Sequence, residues 1–354
     1  MTELGSEVIV PHGVLERFCS AALSSRGVRE DVREHVVRSL TETSLRGVDS
    51  HGLELLPHYV RALDSGRINP VPAYRFDETS PSTARLDADH TFGHAAGAEA
   101  MSRAVDLARA SGTGAVAVFN STHFGAAAYF AFIAARANMI GMSFTHADSL
   151  MLSYGGSRPF FGTNPICFAA PIEGEDPFCL DMATTRVSWN KVRRHREAGL
   201  RLPPGWACDD RGEPTSEPAS AAALLPIGDY KGFGLAMIVE ILCSLLTGAP
   251  NGRDILRMYA DPIDQKRYLG HFFIAIDVAR FEDVAIFKRR LRALIDAVRS
   301  EPPKSGDTPV MVPGDPEKRK LSRRLLEGIP ISRAIFEEYR AIGGAIGFAW
   351  SGIA

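Results

Sequence analysis

The stretch Arg46-Gly47-Val48-Asp49-Ser50-His51-Gly52 (RGVDSHG) brings a cation, a carboxylate, a hydroxyl and an imidazole together within one short segment. Glycines within it let the backbone turn sharply and approach a ligand closely. Imidazole titrates near neutral pH and is the usual general acid or base of enzymes. An Asp-x-His sequence in a loop is also typical of a helix cap beside a surface histidine. The stretch alone therefore leaves a catalytic and a structural interpretation open.

Helical periodicity surrounds this stretch on both sides. Apolar residues recur at helical spacing in residues 11–26, 28–45 and 53–64, which predicts three amphipathic helices. The sequence up to residue 76 carries no strand signal. We therefore expect a helical unit, with the RGVDSHG stretch in a loop between its second and third helices.

The pattern changes after residue 76. An alanine-rich helix is predicted at 94–111, followed by glycines at 112 and 114 and a short strand at 115–119. A Rossmann fingerprint requires a strand, then the glycines, then a helix, so this order excludes it. The remaining pattern alternates short strands and helices. Strands are predicted at 139–145, 167–171, 178–182 and 272–278, and helices at 126–137, 229–246 (buried), 282–299, 317–327 and 332–342.

Composition limits the possible partners. The 354 residues are 45% hydrophobic and 23% charged, with a net charge of −2, which argues against nucleic acid or an anionic membrane as a partner. No apolar run is long enough to cross a membrane. Five widely spaced cysteines predict reduced thiols and a cytoplasmic protein. Residues 186–201 are strongly basic, and a solvated helix face is favoured there over a cradle for a cofactor phosphate.

Several kinds of chemistry lack their defining residues. The ten histidines form no HExxH sequence, so we expect no metal site. Neither a GxSxG elbow nor a Walker A sequence is present, which argues against the corresponding hydrolases and phosphate-transfer enzymes. The residues are compatible with an α/β enzyme whose acid/base candidates are His51 and His123. A cofactor-dependent reaction fits this set without being specified by it.

Six motifs in one order along the chain resemble the malate/L-lactate dehydrogenase family, whose members are NAD(P)-dependent oxidoreductases without a Rossmann fold. The family includes malate, sulfolactate and ureidoglycolate dehydrogenases, diketogulonate reductase and cyclic imino acid reductases. Each motif is weak singly, but the ordered set is specific. The motifs are residues 46–52 (RGVDSHG), 121–125 (STHFG), 162–165 (GTNP), 181–185 (DMATT), 205–207 (GWA) with Asp209, and 230–236 (YKGFGLA).

The resemblance implies an α/β fold class with a non-Rossmann mixed-sheet dinucleotide-binding domain and a helical domain built from the N- and C-terminal segments. We expect the helical domain to comprise residues 1–76 and 310–354 and the α/β cofactor-binding domain to comprise residues 77–309. Family members are typically homodimers with active sites near the subunit interface. The expected partners are thus a small-molecule substrate and a second copy of the chain, and the expected cofactor is NAD or NADP.

Roles for individual residues also come from the resemblance. His51, His123 and Asp181 match catalytic positions. Our hypothesis is that His51 is the principal proton donor, that His123 lies close to the substrate, and that Asp181 orients an imidazole. Ala147 stands where many relatives have serine. The positions that match cofactor contacts are His146, Ala147, Asp148, Gly162, Thr163, Asn164, Asp181, Met182, Ala183, Lys231, Gly270, His271 and Phe272.

The substrate pocket departs from the family pattern at one position. Relatives commonly have an arginine four residues after the histidine of the first motif, where it pairs with a substrate carboxylate, and this chain has Leu55 there. Leucine cannot make a guanidinium–carboxylate contact. We therefore expect either a substrate without that carboxylate or replacement of the cation by Arg46 or another residue. Tyr59 fits the family pattern and is expected to line the pocket.

The most favoured function is hydride transfer between a nicotinamide and a 2-oxo or 2-hydroxy acid, or a related small ketone, with a histidine as proton donor and acceptor. Two alternatives stay open. One is reduction of an imine resembling a cyclic imino acid, which Leu55 favours. The other is a family-fold subunit that has lost catalysis and acts in binding, an interpretation that the retained His51, His123, Asp181 and Lys231 oppose.

Overall fold

A computed structural model describes residues 7–304, 308–350 and 353. The parts of the predicted domains at 1–6, 305–307, 351, 352 and 354 lie outside the described residues. The α-helices are α1 His12–Ser24, α2 Glu30–Leu45, α3 Leu56–Asp64, α4 Gly93–Ser111, α5 Ala128–Arg136, α6 Trp189–Glu197, α7 Tyr230–Glu240, α8 Val284–Arg299, α9 Asp315–Glu327 and α10 Arg333–Ile346.

The strands form three sheets. A seven-stranded sheet has the order β2-β3-β4-β13-β5-β8-β9, a five-stranded sheet has the order β11-β10-β12-β6-β7, and β1 pairs with β14. The strands are β1 Glu7–Val10, β2 Arg75–Ser80, β3 Thr83–Asp87, β4 Thr113–Ser121, β5 Met139–Thr145, β6 Met151–Leu152, β7 Pro159–Phe161, β8 Ile166–Ala170, β9 Phe178–Met182, β10 Ala207–Cys208, β11 Pro214–Thr215, β12 Ala223–Leu224, β13 Leu269–Asp277 and β14 Ile329–Ser332.

The seven-stranded sheet is mixed. Its β3 and β4 run parallel, whereas its other described neighbours are antiparallel. Helices α4 and α5 share one core with this sheet, built largely from alanine, with Phe130 and Phe273 in edge contact at 5.3 Å between ring centroids. Small side chains let these helices lie close to the strands, so the loops that follow β4 and β5 leave the sheet at fixed positions.

A second core joins the two ends of the chain. It contains apolar residues of α1, α2 and α3 together with Tyr339 and Phe336 of α10. The prediction of no strand before residue 76 was wrong, because β1 pairs antiparallel with β14, with Val10 opposite Ile329. This strand was missed because it is four residues long and its partner lies at the other end of the sequence. The mixed sheet and the helical unit are confirmed, and the exact domain boundaries stay a prediction.

Helix α7 differs from the expectation of a buried helix. It continues into a π-helical turn, Ile241–Leu245, and one side of the combined segment is exposed to solvent. The exposed apolar side chains are Met237, Ile238, Ile241, Leu245 and Leu246. An apolar pattern all around a helix predicts burial on every side, and one side of α7 is left uncovered by the residues that the structure describes. No helix of the described residues is both long and apolar enough to cross a membrane.

Helix α6 carries most of the basic segment. Within it only Val192 is buried, and Arg194 forms an ion pair with Glu54 at 3.6 Å. This exposure agrees with the favoured interpretation of a solvated helix face.

Candidate active site

A tight turn after α2 places the first candidate histidine. Residues Asp49–His51 form a single 3₁₀ turn, and Leu53–Leu55 form a second one before α3 begins. A Cβ atom on Gly52 would lie 2.2 Å from Ser44 Oγ. Only glycine fits at that point, so the close approach of the turn to α2 fixes where His51 lies.

The C-terminal helices hold this turn in place. Both oxygens of Asp49 are bonded to the Arg324 guanidinium of α9, at 2.5 Å and 3.0 Å. Arg324 also donates to the Ser44 carbonyl. The Tyr339 hydroxyl of α10 donates to the Leu53 carbonyl at 2.6 Å. The aspartate of the RGVDSHG motif is therefore engaged by Arg324, and the His51 ring has a different partner.

The second candidate histidine lies beside the first. His123 is in the loop after β4, and its ring is stacked on that of His51 at 5.8 Å between centroids, with 28° between the planes. Ser50 Oγ is 2.9 Å from His51 Nδ1, and the Tyr59 hydroxyl is 2.7 Å from His123 Nδ1. Both Nε2 atoms lack a hydrogen-bond partner among the described residues, and both rings are only half-buried. Each histidine thus keeps one nitrogen available for a ligand.

Burial sets the protonation states of these groups. It lowers the pKa of His51 and lowers the pKa of His123 well below its ordinary range, an effect that His51 and His94 reinforce. Burial also raises the pKa of Tyr59. Both histidines are therefore neutral near pH 7, while Tyr59 keeps its proton. A tyrosine hydroxyl can donate to a neutral Nδ1 or accept from the N–H of a protonated ring, so it supports both states of a proton-transfer cycle.

Asp181 takes a different position from the one expected for an imidazole-orienting acid. Its Oδ2 accepts the backbone N–H of Ala128 at 2.8 Å, at the start of α5. The surrounding protein desolvates this carboxyl and raises its pKa to about 6, although the side chain keeps solvent contact, as a group in a cleft does. The hydroxyls of Ser50 and Tyr59 orient the imidazoles instead. A catalytic role for Asp181 stays a prediction.

The segments predicted to contact the cofactor are brought together by hydrogen bonds. The backbone N–H and the hydroxyl of Thr184 both donate to the Thr163 carbonyl at 2.9 Å. The Ile227 N–H donates to the Thr184 carbonyl at 2.9 Å. This places the start of α7, with Lys231 in its first turn, beside the other two segments. We call residues 146–148, 162–164, 181–184, 227–231 and 270–272 the cofactor loops.

Two further contacts complete this group. The Ala147 N–H donates to Asn164 Oδ1 at 3.1 Å, and the Gly270 N–H donates to His146 Nε2 at 2.8 Å. A Cβ atom on Gly162 would lie 2.4 Å from the Ala147 carbonyl oxygen. The five cofactor loops, which are far apart in the sequence, are therefore linked to one another by hydrogen bonds.

Some predicted contact residues face the protein interior. His146, Asn164 and His271 are buried, and His271 is bonded to Thr145 Oγ1 at 2.7 Å and to Ser121 Oγ at 2.8 Å. His271 and Asn164 hold the loops through all of their polar atoms, whereas His146 Nδ1 has no hydrogen-bond partner among the described residues. The predicted residues that keep solvent contact are Ala147, Asp148, Thr163, Asp181, Met182, Ala183, Lys231 and Phe272.

The structure does not support Arg46 as a replacement cation. Its guanidinium is bonded to Glu42 and Asp176, at 3.0 Å and 2.8 Å, and lies over the Phe132 ring. Leu55 is buried in the helical core, so it adds an apolar wall at most. An arginine already paired with two carboxylates has little capacity left for a third.

A different arginine lies near the histidines. Arg267, whose side chain is 2% exposed, pairs with Asp148 at 2.6 Å through Nη2 and donates from Nε to the Leu256 carbonyl. Its positive charge contributes to the lowered pKa of His123 and of His58, which burial chiefly causes. Nη1 has no hydrogen bond among the described residues. This buried cation thus acts electrostatically on His123 and has a free donor.

The family model described as malate/L-lactate dehydrogenase matches residues 10–340. The chain belongs to the malate/L-lactate dehydrogenase family. The motif resemblance is thereby confirmed, and the chain is an NAD(P)-dependent dehydrogenase or reductase with the family fold.

Individual relatives agree in both sequence and structure. The chain is 33% identical to ureidoglycolate dehydrogenase (NAD(+)) of Escherichia coli O157:H7, covering 91% of this chain and 92% of the relative. It is 35% identical to (2R)-3-sulfolactate dehydrogenase (NADP(+)) of Chromohalobacter salexigens, covering 92% and 95%. Malate dehydrogenase from Entamoeba histolytica superposes with a TM-score of 0.93 at 28% identity, covering 98% and 100%. Members of this family thus use either nucleotide.

The sequence indicated some site residues and missed others. Ser50 is part of the first motif, but its contact with His51 was not predicted. Tyr59 was expected to line the pocket, but its hydrogen bond to His123 was not predicted. Arg267 and Arg324 had no periodic or motif signal that separated them from other basic residues. Their roles depend on partners more than 100 positions away in the sequence. Among the described residues, no cluster of His, Cys, Asp or Glu is arranged to hold a metal ion.

Replacing His51 by asparagine should lower turnover by about 10²–10⁴-fold, because a general acid–base group contributes that much. The loss of turnover is measured from the steady-state rate of NAD(P)H oxidation. Since the pKa of His51 is lowered from its ordinary value of about 6.5, wild-type kcat/KM for carbonyl reduction should fall as pH rises through a midpoint below that value. The control is His12→Asn at the start of α1. Near wild-type turnover in His51→Asn, with loss in His123→Asn, would move the proton donor to His123.

Proposed function

We propose that this dehydrogenase interconverts a small 2-oxo acid and the corresponding 2-hydroxy acid, with Arg267 binding the substrate carboxylate and His51 exchanging the proton. The observation that carries the proposal is a buried guanidinium with a free Nη1, whose charge acts on His123, together with the stacked pair of His51 and His123, whose Nε2 atoms are also free. A carbonyl between these groups has a donor for its oxygen and a cation for its carboxylate.

The proton transfer follows from the positions of the two imidazoles. Reduction of a ketone adds a hydride to carbon and a proton to oxygen, and the nicotinamide supplies the hydride when it is bound. His51, in its protonated form, donates from Nε2 to the developing alkoxide and becomes neutral. Ser50 holds Nδ1 throughout, so the ring keeps its orientation. His123, held by Tyr59, donates a hydrogen bond to the same oxygen from its Nε2.

The charge around Arg267 favours an anionic substrate. A second buried arginine, Arg67, is bonded to the carbonyls of Met258 and Pro262 and has no carboxylate within ion-pair distance among the described residues. The carboxylates of Asp264, Asp148 and Asp261 all act electrostatically on Arg67. Arg267 keeps a free Nη1 donor, and the low local dielectric strengthens its attraction for a substrate carboxylate. Arg267 thereby takes over the function that Leu55 cannot perform.

The cofactor loops fit a dinucleotide in their chemistry. They join an exposed lysine in the first turn of α7, the exposed end of β9 at Asp181–Ala183 and the close backbone approach at Gly162. The lysine and the N–H groups at the start of α7 suit a diphosphate. Lys231 and Thr163 would hold it, and Asp148 joins this surface to Arg267.

We propose further that the exposed side of α7 is covered by a second copy of the chain. Met237, Ile238, Ile241 and Leu245 lie within one side of the helix and are 41–64% exposed. Large contiguous apolar patches on the surface of a folded protein mark sites of interaction with other molecules. The sheet beside them also presents partly buried Phe272 and Ile166. A symmetric dimer covers such a patch with the same patch of its partner.

The proposed reaction is tested by following NADH and NADPH absorbance with a panel of 2-oxo acids, cyclic imines and neutral ketones. We expect turnover with a 2-oxo acid and with at least one of the two nucleotides. Turnover of cyclic imines alone would instead support imine reduction. Binding of neither nucleotide in a fluorescence titration would contradict the proposal.

The carboxylate site is tested by Arg267→Lys, which keeps a cation beside Asp148, and by Arg267→Gln. We expect Arg267→Gln to raise KM for the 2-oxo acid by about 100-fold or more, because a buried charge partner is lost. Arg267→Lys should give a smaller increase. Activity on a neutral ketone and nucleotide affinity should change little. The matched control is Arg253→Gln on the exposed surface. An equal loss on acid and neutral substrates would contradict this role.

The interface is tested by the double substitution Ile238→Lys with Ile241→Lys and light scattering after size exclusion. The wild type should have twice the chain mass of 38.4 kDa, and the variant should be monomeric. Charges introduced into an apolar interface are costly to bury. The control is Leu326→Lys on α9, a 90% exposed position outside the patch. A monomeric wild type, or a variant that stays dimeric, would reject this interface.

A further inference from the structure

A buried carboxylate lies beneath the cofactor loops. Glu240 is the last residue of α7 and is only 4% exposed, although its helix is otherwise almost entirely apolar. Burying a carboxylate is unfavourable unless hydrogen bonds replace the lost water. An apolar side chain would suit the surrounding core, so the carboxylate requires an explanation in terms of the groups that it binds.

Three loops converge on this carboxylate. Asn164 Nδ2 donates to Oε2 at 2.8 Å, and the Gly252 N–H donates to Oε1 at 2.8 Å. His146 Nδ1 lies 3.5 Å from Oε1. Although burial opposes ionisation, these contacts together lower the pKa of Glu240, so the group is charged at neutral pH. The two hydrogen-bond donors, Asn164 and Gly252, belong to different loops and share Glu240 as their acceptor, and His146 of a third loop lies at ion-pair distance from it.

The His146 tautomer is fixed by its second nitrogen. Nε2 accepts the Gly270 N–H at 2.8 Å and so carries no proton in the neutral ring. The proton is therefore on Nδ1, which faces Glu240. This arrangement joins the loop after β5 to the first residues of β13 through one imidazole and directs both to the same carboxylate.

Asn164 connects Glu240 to the exposed part of the site. Its Oδ1 accepts the Ala147 N–H at 3.1 Å, while its Nδ2 donates to Glu240 and to the Ala236 carbonyl. Its φ of 31° lies in the left-handed region, which asparagine tolerates at some cost. The strained backbone and the saturated amide together fix the position of Ala147 and of the adjacent Asp148, which pairs with Arg267.

We propose that Glu240 is a positioning residue that holds the loops at His146–Asp148, Gly162–Asn164 and Gly270–Phe272 in the arrangement that binds the nicotinamide dinucleotide. This inference rests on the proposed function, because it assigns those loops to the cofactor. A π-helical turn begins directly after Glu240. Such turns are uncommon and frequently mark functional sites. Glu240 touches neither histidine of the proposed proton-transfer pair, so its influence is on cofactor affinity rather than on the chemical step.

The test is Glu240→Gln, measured by the dissociation constant of the nucleotide that the wild type binds and by kcat at saturating nucleotide. Glutamine has the same shape, but its amide N–H₂ must face one of the donors, which leaves a buried donor unpaired. We expect the dissociation constant to rise by about 5–100-fold, with kcat within about 3-fold of wild type. Asn164→Gly, in which glycine accepts the positive φ, should likewise raise the dissociation constant with little change in kcat. This variant replaces Glu240→Gln if the latter does not fold.

Two comparisons separate positioning from general destabilisation. Glu175→Gln breaks a similar carboxylate network with Arg299 and Lys318, away from the cofactor loops, and should lower Tm without changing nucleotide affinity. The double variant Glu240→Gln with Asn164→Gly should weaken binding by less than the product of the single effects, because both residues act in one network. Additive effects of these two substitutions would contradict a shared network.

The remaining outcomes distinguish this inference from the proposed function. A wild type that binds neither NADH nor NADPH would overturn both. A wild type that binds a nucleotide, together with a folded Glu240→Gln variant of equal affinity, would overturn the positioning role alone. A variant with unchanged affinity and reduced kcat would likewise overturn it and would point to an effect on the histidine pair.

Discussion

The ion pair between Asp49 and Arg324 is the interaction on which the site most depends. It joins a turn near the N-terminus to a helix near the C-terminus through two hydrogen bonds, with both side chains largely removed from water. Loss of either partner would leave a buried charge without compensation, which is strongly destabilising. Because His51 is two residues from Asp49, this pair fixes the imidazole as well as the contact between the two ends of the chain.

The rest of the site is built on the mixed sheet. His123 follows β4, the segment with Ala147 and Asp148 follows β5, and Asp181 is near the end of β9. The strands are held by a core of small side chains under α4 and α5, so the loops start from rigid positions. The helical unit supplies His51 and Tyr59, and the sheet supplies His123. The pair of stacked imidazoles therefore exists only where the two parts of the chain meet.

Polar groups in the interior serve the loops more than the stability of the core. Glu240, Asn164 and His146 are buried and share their hydrogen bonds, and they lie beneath the surface that we assign to the cofactor. Arg267 is likewise buried and forms an ion pair with Asp148, next to the proposed substrate site. Buried polar networks are rigid when every member is satisfied. This rigidity suits a hydride transfer, in which the distance and orientation between the two reacting molecules govern the rate.

Local sequence patterns predicted most of the helices, the strands β4, β5, β8, β9 and β13 of the large sheet, the absence of a Rossmann fingerprint, and the family through its ordered motifs, whereas β2 and β3 were not assigned. These features depend on local periodicity and on residue types at short spacing, which a single chain displays directly. The sequence placed His51, His123 and Lys231 among the candidates for the same reason. The partners of the side chains follow from the tertiary structure alone: Ser50 and Tyr59 bond to the histidines, Arg46 is already paired, Arg267 pairs with Asp148, and Glu240 accepts from Asn164. Those roles depend on contacts between residues far apart in the sequence, and neither periodicity nor composition records which distant side chain will be the partner.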